Sequence, residues 1–329
     1  MYPVKLLDKS SKVEVSQSLD LLKTSFKGSI DYFHWKHNLN ENFEVEEYTF
    51  CIFKDNLCIA TLQVVIHQMI KSNKSYRFAL LSDGATHNDY RRLGLFEKLL
   101  SHVNQFCANK NVSFVYGSGN NKSRKAFYKL GFVDFFSTQK ATKKIRYNHP
   151  ALKIYNFTLN KFRQLSLKSF PNIKTITVVD YVNFAHKYEQ NHSISYKKTE
   201  AYLKWRLAEP TGAYKIYGAF DAHDILSGII VVKKSKNLLY IVDALFNNEI
   251  NYLNQLMQFV SGLAIKDKNI TRINSIHNNF KSIKEVFINN KFMITEEGAS
   301  ALLYSLHPNF KIAQSDLDSM HYMRIDKNE

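Results

Sequence analysis

Two stretches of the chain carry the same apolar stripe. Phe96, Leu99, Leu100, Val103, Phe106 and Cys107 fall at helical spacing, and Leu253, Leu256, Met257, Val260, Leu263 and Ala264 repeat that spacing 157 positions later. Each stripe predicts an amphipathic helix with one buried face. Ahead of each lies a pair of strand-like runs split by polar residues, and each pair predicts an antiparallel hairpin. In the first half the runs are 48–55 and 56–67; in the second they are 214–221 and 224–234. After each helix comes a short strand-like run (112–118 and 270–276), then an Asn pair (Asn120-Asn121 and Asn278-Asn279). A second short helix follows, ending in KLGF at 129–132 or NNKF at 289–292. Before each hairpin stands a Trp followed by a base, Trp35-Lys36 and Trp205-Arg206, offset by 170. This ordered series predicts two copies of one α+β unit. The expected division is 1–148 and 149–329, because the basic stretch 139–150 ends at Pro150 and reads as the end of the first unit.

Composition narrows the class. The chain has 329 residues with 45% apolar and 22% charged, which fits a globular protein of two domains. The 24 Phe and 19 Tyr supply enough apolar surface to exclude disorder as the main state. Cys51, Cys58 and Cys107 have no C-x-x-C spacing, which fits a reducing cytoplasm and excludes a disulfide scaffold or zinc ribbon. The 12 His are scattered and no metal-ligand spacing stands out, so no metal is expected. No secretory signal and no apolar run long enough for a membrane span is read from the sequence. The surplus of sixteen positive charges points to an anionic partner. Nucleic acid, a membrane surface, coenzyme A and a nucleotide sugar all satisfy it.

Chemistry concentrates in SYRFALLSDGATHNDYRRLGLFEKLLSHVNQF, residues 75–106. A strand runs into a polar loop and then into the helix from Leu95, which presents free backbone N–H groups to an anion. Gly94 permits close approach or a positive φ, and Arg91 and Arg92 add charge-assisted donors. This is the shape of a pyrophosphate cradle; an ordinary solvated turn with a basic pair is the alternative.

The segment resembles the GNAT superfamily of acetyl-CoA-dependent N-acetyltransferases, whose signature is R/Q-x-x-G-x-G/A. Here it reads Arg91-Arg92-Leu93-Gly94-Leu95-Phe96, with Phe96 in place of the final small residue. The second family signature, an Asn followed eleven residues later by Gly-Phe, is matched by Asn120 and Gly131-Phe132. The resemblance covers roughly residues 20–145. It implies an α+β fold of two GNAT-like domains, each a mixed, mostly antiparallel sheet flanked by helices. It also implies acetyl-CoA as co-substrate. The pantetheine arm would pair with the backbone from Ser82 through Gly84 and Ala85 to Thr86. The pyrophosphate would sit on the N–H groups of Arg92 to Phe96, and Asn120 and Phe127 would border the arm.

The resemblance leaves the acid–base residues open. Many members place a Tyr four residues before the Gly of Gly-Phe to protonate the leaving thiolate. That position is Phe127 here, with Tyr128 beside it, about 100° away around a helix. Asp83 and His87 are candidates for the base that takes the acceptor's proton, or are structural and capping residues.

The second copy lacks the cradle. FNNEINYL at 246–253 has neither Gly nor Arg, and Glu249 would repel phosphate. The second unit is therefore expected to be degenerate, shaping the acceptor site, holding a dimer or serving as a platform. Trp35, Lys36, Trp205 and Arg206 are either acceptor contacts, the bases holding a diphosphate and the indoles stacking on a base or sugar, or core plugs. The expected reaction is direct attack of a primary amine on the acetyl-CoA thioester, the acceptor being a nucleotide-linked amino sugar of surface-polysaccharide synthesis. Two alternatives stand beside it. One is an aminoacyl-tRNA-dependent transferase of related tandem fold. The other is a non-enzymatic anion- or nucleic-acid-binding protein, against which the absence of a nucleic-acid motif counts.

Overall fold

The computed structural model describes residues 2–26, 28–39, 43–72, 74–120, 123–146, 169–189, 194–247, 249–278, 281–307, 310 and 312–313. The expected boundary at 148/149, Asn121 and Asn279 lie outside the described residues.

The first half runs β1 (Val4–Leu6), α1 (Lys12–Ser25), α2 (Ile30–Lys36), β2 (Glu46–Lys54), β3 (Leu57–Lys71), β4 (Lys74–Thr86), α3 (Leu95–Asn109), β5 (Phe114–Ser118), α4 (Arg124–Lys129) and β6 (Val133–Lys144). The second runs β7 (Ile173–Thr175), α5 (Val178–Glu189), β8 (Ile194–Tyr196), α6 (Glu200–Leu207), β9 (Ala213–Phe220), β10 (Leu226–Ser235), β11 (Leu238–Phe246), α7 (Ile250–Lys266), β12 (Arg272–Asn278), α8 (Lys281–Asn289) and β13 (Met293–Ser305). Both predicted hairpins, both striped helices and both short strands after them are present. The caps repeat as well. Ser29 accepts from the Tyr32 N–H at the start of α2, and Thr199 accepts from the Tyr202 N–H at the start of α6.

The apolar periodicity explains the packing. Leu99, Leu100, Val103 and Cys107 on α3 are fully buried against one face of β2 to β5. Leu253, Leu256, Met257, Val260 and Ala264 on α7 are buried in the same way in the second half. Each such leucine contributes about 2 kcal/mol relative to an exposed one. No helix among the described residues is long and apolar enough to cross a membrane.

The two halves do not form separate sheets. A single 13-stranded sheet runs in the order β1-β2-β3-β4-β5-β13-β6-β12-β11-β10-β9-β7, with β8 added to the end of β3. It is antiparallel throughout except for β4 with β5 and β11 with β12. The last strand of each half has crossed to the other: β13 pairs with β5, and β6 pairs with β12. The two exchanged strands then pair with each other, and Gln139 faces Glu296 with an Nε2–Oε1 hydrogen bond of 3.0 Å. These two residues are 157 apart, the offset of the helical stripes, so the local two-fold axis passes between them. The basic stretch from Gln139 to Lys144 lies in the last strand of the first half, which is at the same time a central strand of the shared sheet. Its ladder is shared with both neighbours, a role that its polar composition conceals.

Candidate active site

Strand β4 alternates cleanly. Ala79 and Leu81 face the α3 core, while Phe78 and Leu80 face the opposite, aromatic core with Phe114 and Tyr116. The alternation breaks at Asp83. Thr61 pairs with Ala85 and Gln63 with Ser82, so Asp83 and Gly84 together stand opposite Leu62. This is a β-bulge, and Asp83 occupies the left-handed region at φ 50°. On its other edge β4 pairs with β5 only as far as Leu81 and Gly117. Beyond that point the strands part, and the backbone of Ser82–Thr86 borders a slot.

The loop after β4 completes the site. His87 caps a short 3-10 turn over Asn88–Tyr90, and its Nδ1 accepts from the Asp89 N–H at 3.4 Å. Its ring packs edge-on against Tyr90 at 5.7 Å. Arg92 and Gly94 both have positive φ, 66° and 71°, and Gly94 caps α3 without a side-chain bond. A Cβ on Gly94 would meet nothing within 4 Å, so backbone conformation and not crowding selects glycine there. Arg91, Arg92 and Leu93 are exposed, and the first-turn N–H groups of α3 face outward beside them.

Aromatic rings close the α3 side of the slot. A Cβ on Gly84 would lie 2.6 Å from the Phe96 ring, so the ring occupies the space a side chain would take. Phe96 meets Phe127 edge-on at 5.7 Å, and Phe127 meets Phe132 at 4.9 Å. Asn120, past the end of β5, accepts from the Ser123 N–H at 3.1 Å and shapes the entry to α4. Tyr128 is not at the slot. Its hydroxyl accepts from Arg124 at 2.7 Å and contacts Asp134 at 3.1 Å on the exposed side of α4, while Phe127 takes the inward position. The 100° step around the helix separates the two.

On the other face a buried polar cluster surrounds the bulge. Asp83 receives Lys36 Nζ at 2.8 Å on Oδ1 and faces His37 Nε2 at 3.0 Å on Oδ2. His37 Nδ1 meets Thr49 Oγ1 at 2.7 Å; Thr49 donates to Glu47 Oε1 at 2.8 Å; Lys9 closes the series on Glu47 Oε2 at 2.6 Å. Gln63 bridges Glu47, the Lys36 carbonyl and Ser82 at 3.1, 2.7 and 2.6 Å. Lys36, His37, Glu47, Thr49 and Gln63 are all buried. Burial alone would raise the Asp83 pKa, but Lys36 and then His37 outweigh it and bring it to about 2. Asp83 alone is therefore a weak proton acceptor. Sequence reasoning missed His37, Glu47, Thr49 and Gln63. The available signal was polar residues at the inward positions of β2 and β3, where an unpartnered group would cost several kcal/mol.

Of the two readings of the tryptophans and their basic neighbours, acceptor contacts or core plugs, the structure shows all four side chains buried. Trp35 and Trp205 are 1% and 0% exposed and stack on each other at 5.2 Å and 19°, so neither face is open to a base or sugar. Lys36 is turned to Asp83, and Arg206 is buried with its guanidinium 5.5 Å over the Trp35 ring.

The second half also has a bulge beside this position, but it falls one residue earlier: Val231 pairs with Asp243 and Val232 with Ile241, so Val242 is the extra residue. Asp243 stands two residues past the last parallel pair, Ile241 with Ser275, as Asp83 stands two past Leu81 with Gly117. Ala244 replaces Gly84, and Leu253 replaces Phe96. At the position of Gly119 stands His277, fully buried and stacked on Phe287 at 5.0 Å. Phe287 and Phe292 repeat the Phe127–Phe132 pair at the same 4.9 Å.

Residues 7–132 match the family model of the acetyltransferase (GNAT) domain. No curated protein sequence matches the chain. Solved structures share its fold across both halves. A conserved Enterococcus faecalis V583 protein described as a probable N-acyltransferase aligns with TM-score 0.67 at 12% identity, covering 93% of this chain and 73% of that one. A GCN5-related N-acetyltransferase from Anabaena variabilis ATCC 29413 aligns with TM-score 0.65 at 11% identity, with the same coverage of 93% and 73%. Saccharomyces cerevisiae N-myristoyltransferase with bound myristoyl-CoA aligns with TM-score 0.61 at 9% identity, covering 92% and 82%. The match over residues 7–132 is thus to an acetyltransferase domain, and the fold across both halves is shared with these solved acyltransferase structures.

Proposed function

We propose that the protein transfers an acetyl group from acetyl-CoA to a primary amine, by direct attack of the neutral amine on the thioester. The observation that carries this reading is the continuity of three features. A bulge at Asp83 opens the strand edge, the β4–β5 ladder ends beside it, and the loop with left-handed Arg92 and Gly94 leads into the start of α3. In this reading the arm of acetyl-CoA pairs with Ser82–Thr86, and its pyrophosphate rests on the N–H groups of residues 92–96 with Arg91 and Arg92 alongside. Asn120 lies at the splayed end of β5. Backbone N–H groups at the bulge hold the developing oxyanion. The Phe96 ring beside Gly84 favours a short acyl group. The second half, with Ala244 and His277 in its equivalent slot, serves the first as scaffold and acceptor wall.

For the acceptor we infer a nucleotide-linked amino sugar, on the support of the net charge of +16 and the earlier resemblance. The buried tryptophans withdraw base stacking as an argument for it. A thiol-release assay tests both levels with a panel of amino sugars, nucleotide-linked amino sugars, polyamines and peptides. Acetyl-CoA-dependent release with the nucleotide-linked amine, above the free sugar, is the expected result. Release with peptides or polyamines alone overturns the acceptor, and absence of binding to acetyl-CoA overturns the cofactor.

A further inference from the structure

With its imidazole neutral and its carboxylates ionised, the hydrogen-bond series from Asp83 to Glu47 has one proton fewer than it has contacts. It contains three contacts: Asp83 Oδ2 with His37 Nε2, His37 Nδ1 with Thr49 Oγ1, and Thr49 Oγ1 with Glu47 Oε1. Each needs one proton. Ionised carboxylates supply none, a neutral imidazole supplies one and a hydroxyl one. Two protons serve three contacts. The series has one end at the bulge, where the thioester would lie, and the other at Lys9, whose side chain is 35% exposed. Every intervening side chain is buried. The charged groups facing it are Lys36 on Asp83, and Lys9 on Glu47.

We propose that Asp83, His37, Thr49 and Glu47 form the path by which the acceptor's ammonium proton leaves the active site. This rests on the acyl-transfer reading. An ammonium N–H bond breaks and the proton passes across the Asp83 carboxylate to His37, filling the third contact. The freed lone pair attacks the thioester carbon, and the C–S pair departs on the sulfur of coenzyme A. The second amine proton, lost after attack, ends on that sulfur, and the first leaves to solvent at the Glu47–Lys9 end. Asp83, held at a low pKa by Lys36 and His37, passes the proton on to the neighbouring ring nitrogen 3.0 Å away.

Two variants and one spectrum test the path. His37→Gln should lower kcat by about 100-fold while the KM for acetyl-CoA stays within about twofold, the size of a lost acid–base contribution. Thr49→Val, which keeps the side-chain volume and cuts the series in the middle, should lower kcat by about 10-fold and steepen its fall toward acid pH. Both should melt as folded proteins and bind acetyl-CoA. If His37→Gln fails to fold, Thr49→Val carries the kinetic test. Nitrogen-15 spectra of labelled histidine read the second prediction without turnover. The His37 signal, identified by its loss in His37→Gln, should titrate in the folded protein and change its titration in Asp83→Asn. Wild-type turnover with unchanged kcat and pH profile in both variants overturns the path and leaves acyl transfer standing. A wild-type protein that binds no acyl-CoA overturns acyl transfer and the path together. A His37 ring that holds one protonation state across the active range overturns the path in either case.

Discussion

Trp35 and Trp205 exchange hydrogen bonds: each indole N–H donates to the other residue's carbonyl, at 2.6 and 3.2 Å. The reciprocal pair lies on the same two-fold relation as Gln139 and Glu296. It joins the helix before each hairpin to its counterpart. A Trp35→Ala variant should lose about 3–5 kcal/mol, the usual cost of emptying a large buried aromatic site. Adding Trp205→Ala should cost markedly less than a second such loss, since the first change already removes the shared contact. Urea unfolding of the two single variants and the double gives the coupling; simple additivity would contradict a shared contact.

Replacing Gly94 with Val separates conformation from packing. The site has open space but φ 71°, so the substitution strains the loop by about 1–3 kcal/mol without any clash. The variant should fold, melt a few degrees lower, and lack the thermal stabilisation by acetyl-CoA expected of the wild type under the proposed function. Retained stabilisation would remove Gly94 from the cofactor loop.

Gly84 and Phe96 are predicted to be a matched pair. Gly84→Ala places a Cβ where the Phe96 ring lies 2.6 Å away, and the ring must move into the slot. Acetyl-CoA affinity should fall about 10-fold, and Gly84→Ala with Phe96→Ala should recover most of it through a coupling of about 1 kcal/mol. Titration calorimetry on the three variants measures this; a double variant weaker than Gly84→Ala alone would refute it.

Asp83 gives a pH signature. Its pKa falls from 3.8 to about 2 on folding, because Lys36 and His37 overcome the effect of burial. A depressed carboxyl pKa stabilises the fold above the unfolded value and loses that contribution as pH falls toward the folded one. About 2 kcal/mol is therefore present above pH 4 and fades between about pH 4 and 2. Asp83→Asn should be less stable at pH 7 and should lose less stability over that acid window. Denaturant unfolding across pH 2–6 reads the slope, and identical slopes for both proteins would disprove the assignment.

Tyr128→Phe should leave kcat within about threefold of wild type, because its hydroxyl serves Arg124 and Asp134 on the surface and a catalytic acid would cost about 100-fold or more. A hundredfold loss would return the acid role to Tyr128.

Much of the architecture was legible because each half must bury the same kind of face. The stripes on α3 and α7, the two hairpins and the Trp offset all follow from that local demand. The loop with Gly94 was legible because a left-handed turn before a helix admits few residue types. What joins the halves was hidden. The partner of β6 is chosen by long-range register, and VDFFSTQKATKK reads as a polar edge while serving as an interior strand. The polar cluster was hidden for a related reason. Asp83 lies 46 residues from His37, and nothing local links them. Only inward-facing Glu47 and Thr49 on β2 hinted that partners must arrive from elsewhere.

The exchange of β6 and β13 sets an order of completion. Strand β5 ends at Ser118, yet the neighbour that covers its open edge begins at Met293. During synthesis the half carrying the Arg91–Phe96 loop is made first and is closed only after β13 emerges. Until then β5 presents an unpaired, apolar edge of the kind that invites association with other chains. The half that matches the acetyltransferase domain thus depends on the other half for its own completion, and a nascent chain stalled before β13 should be a client for chaperones.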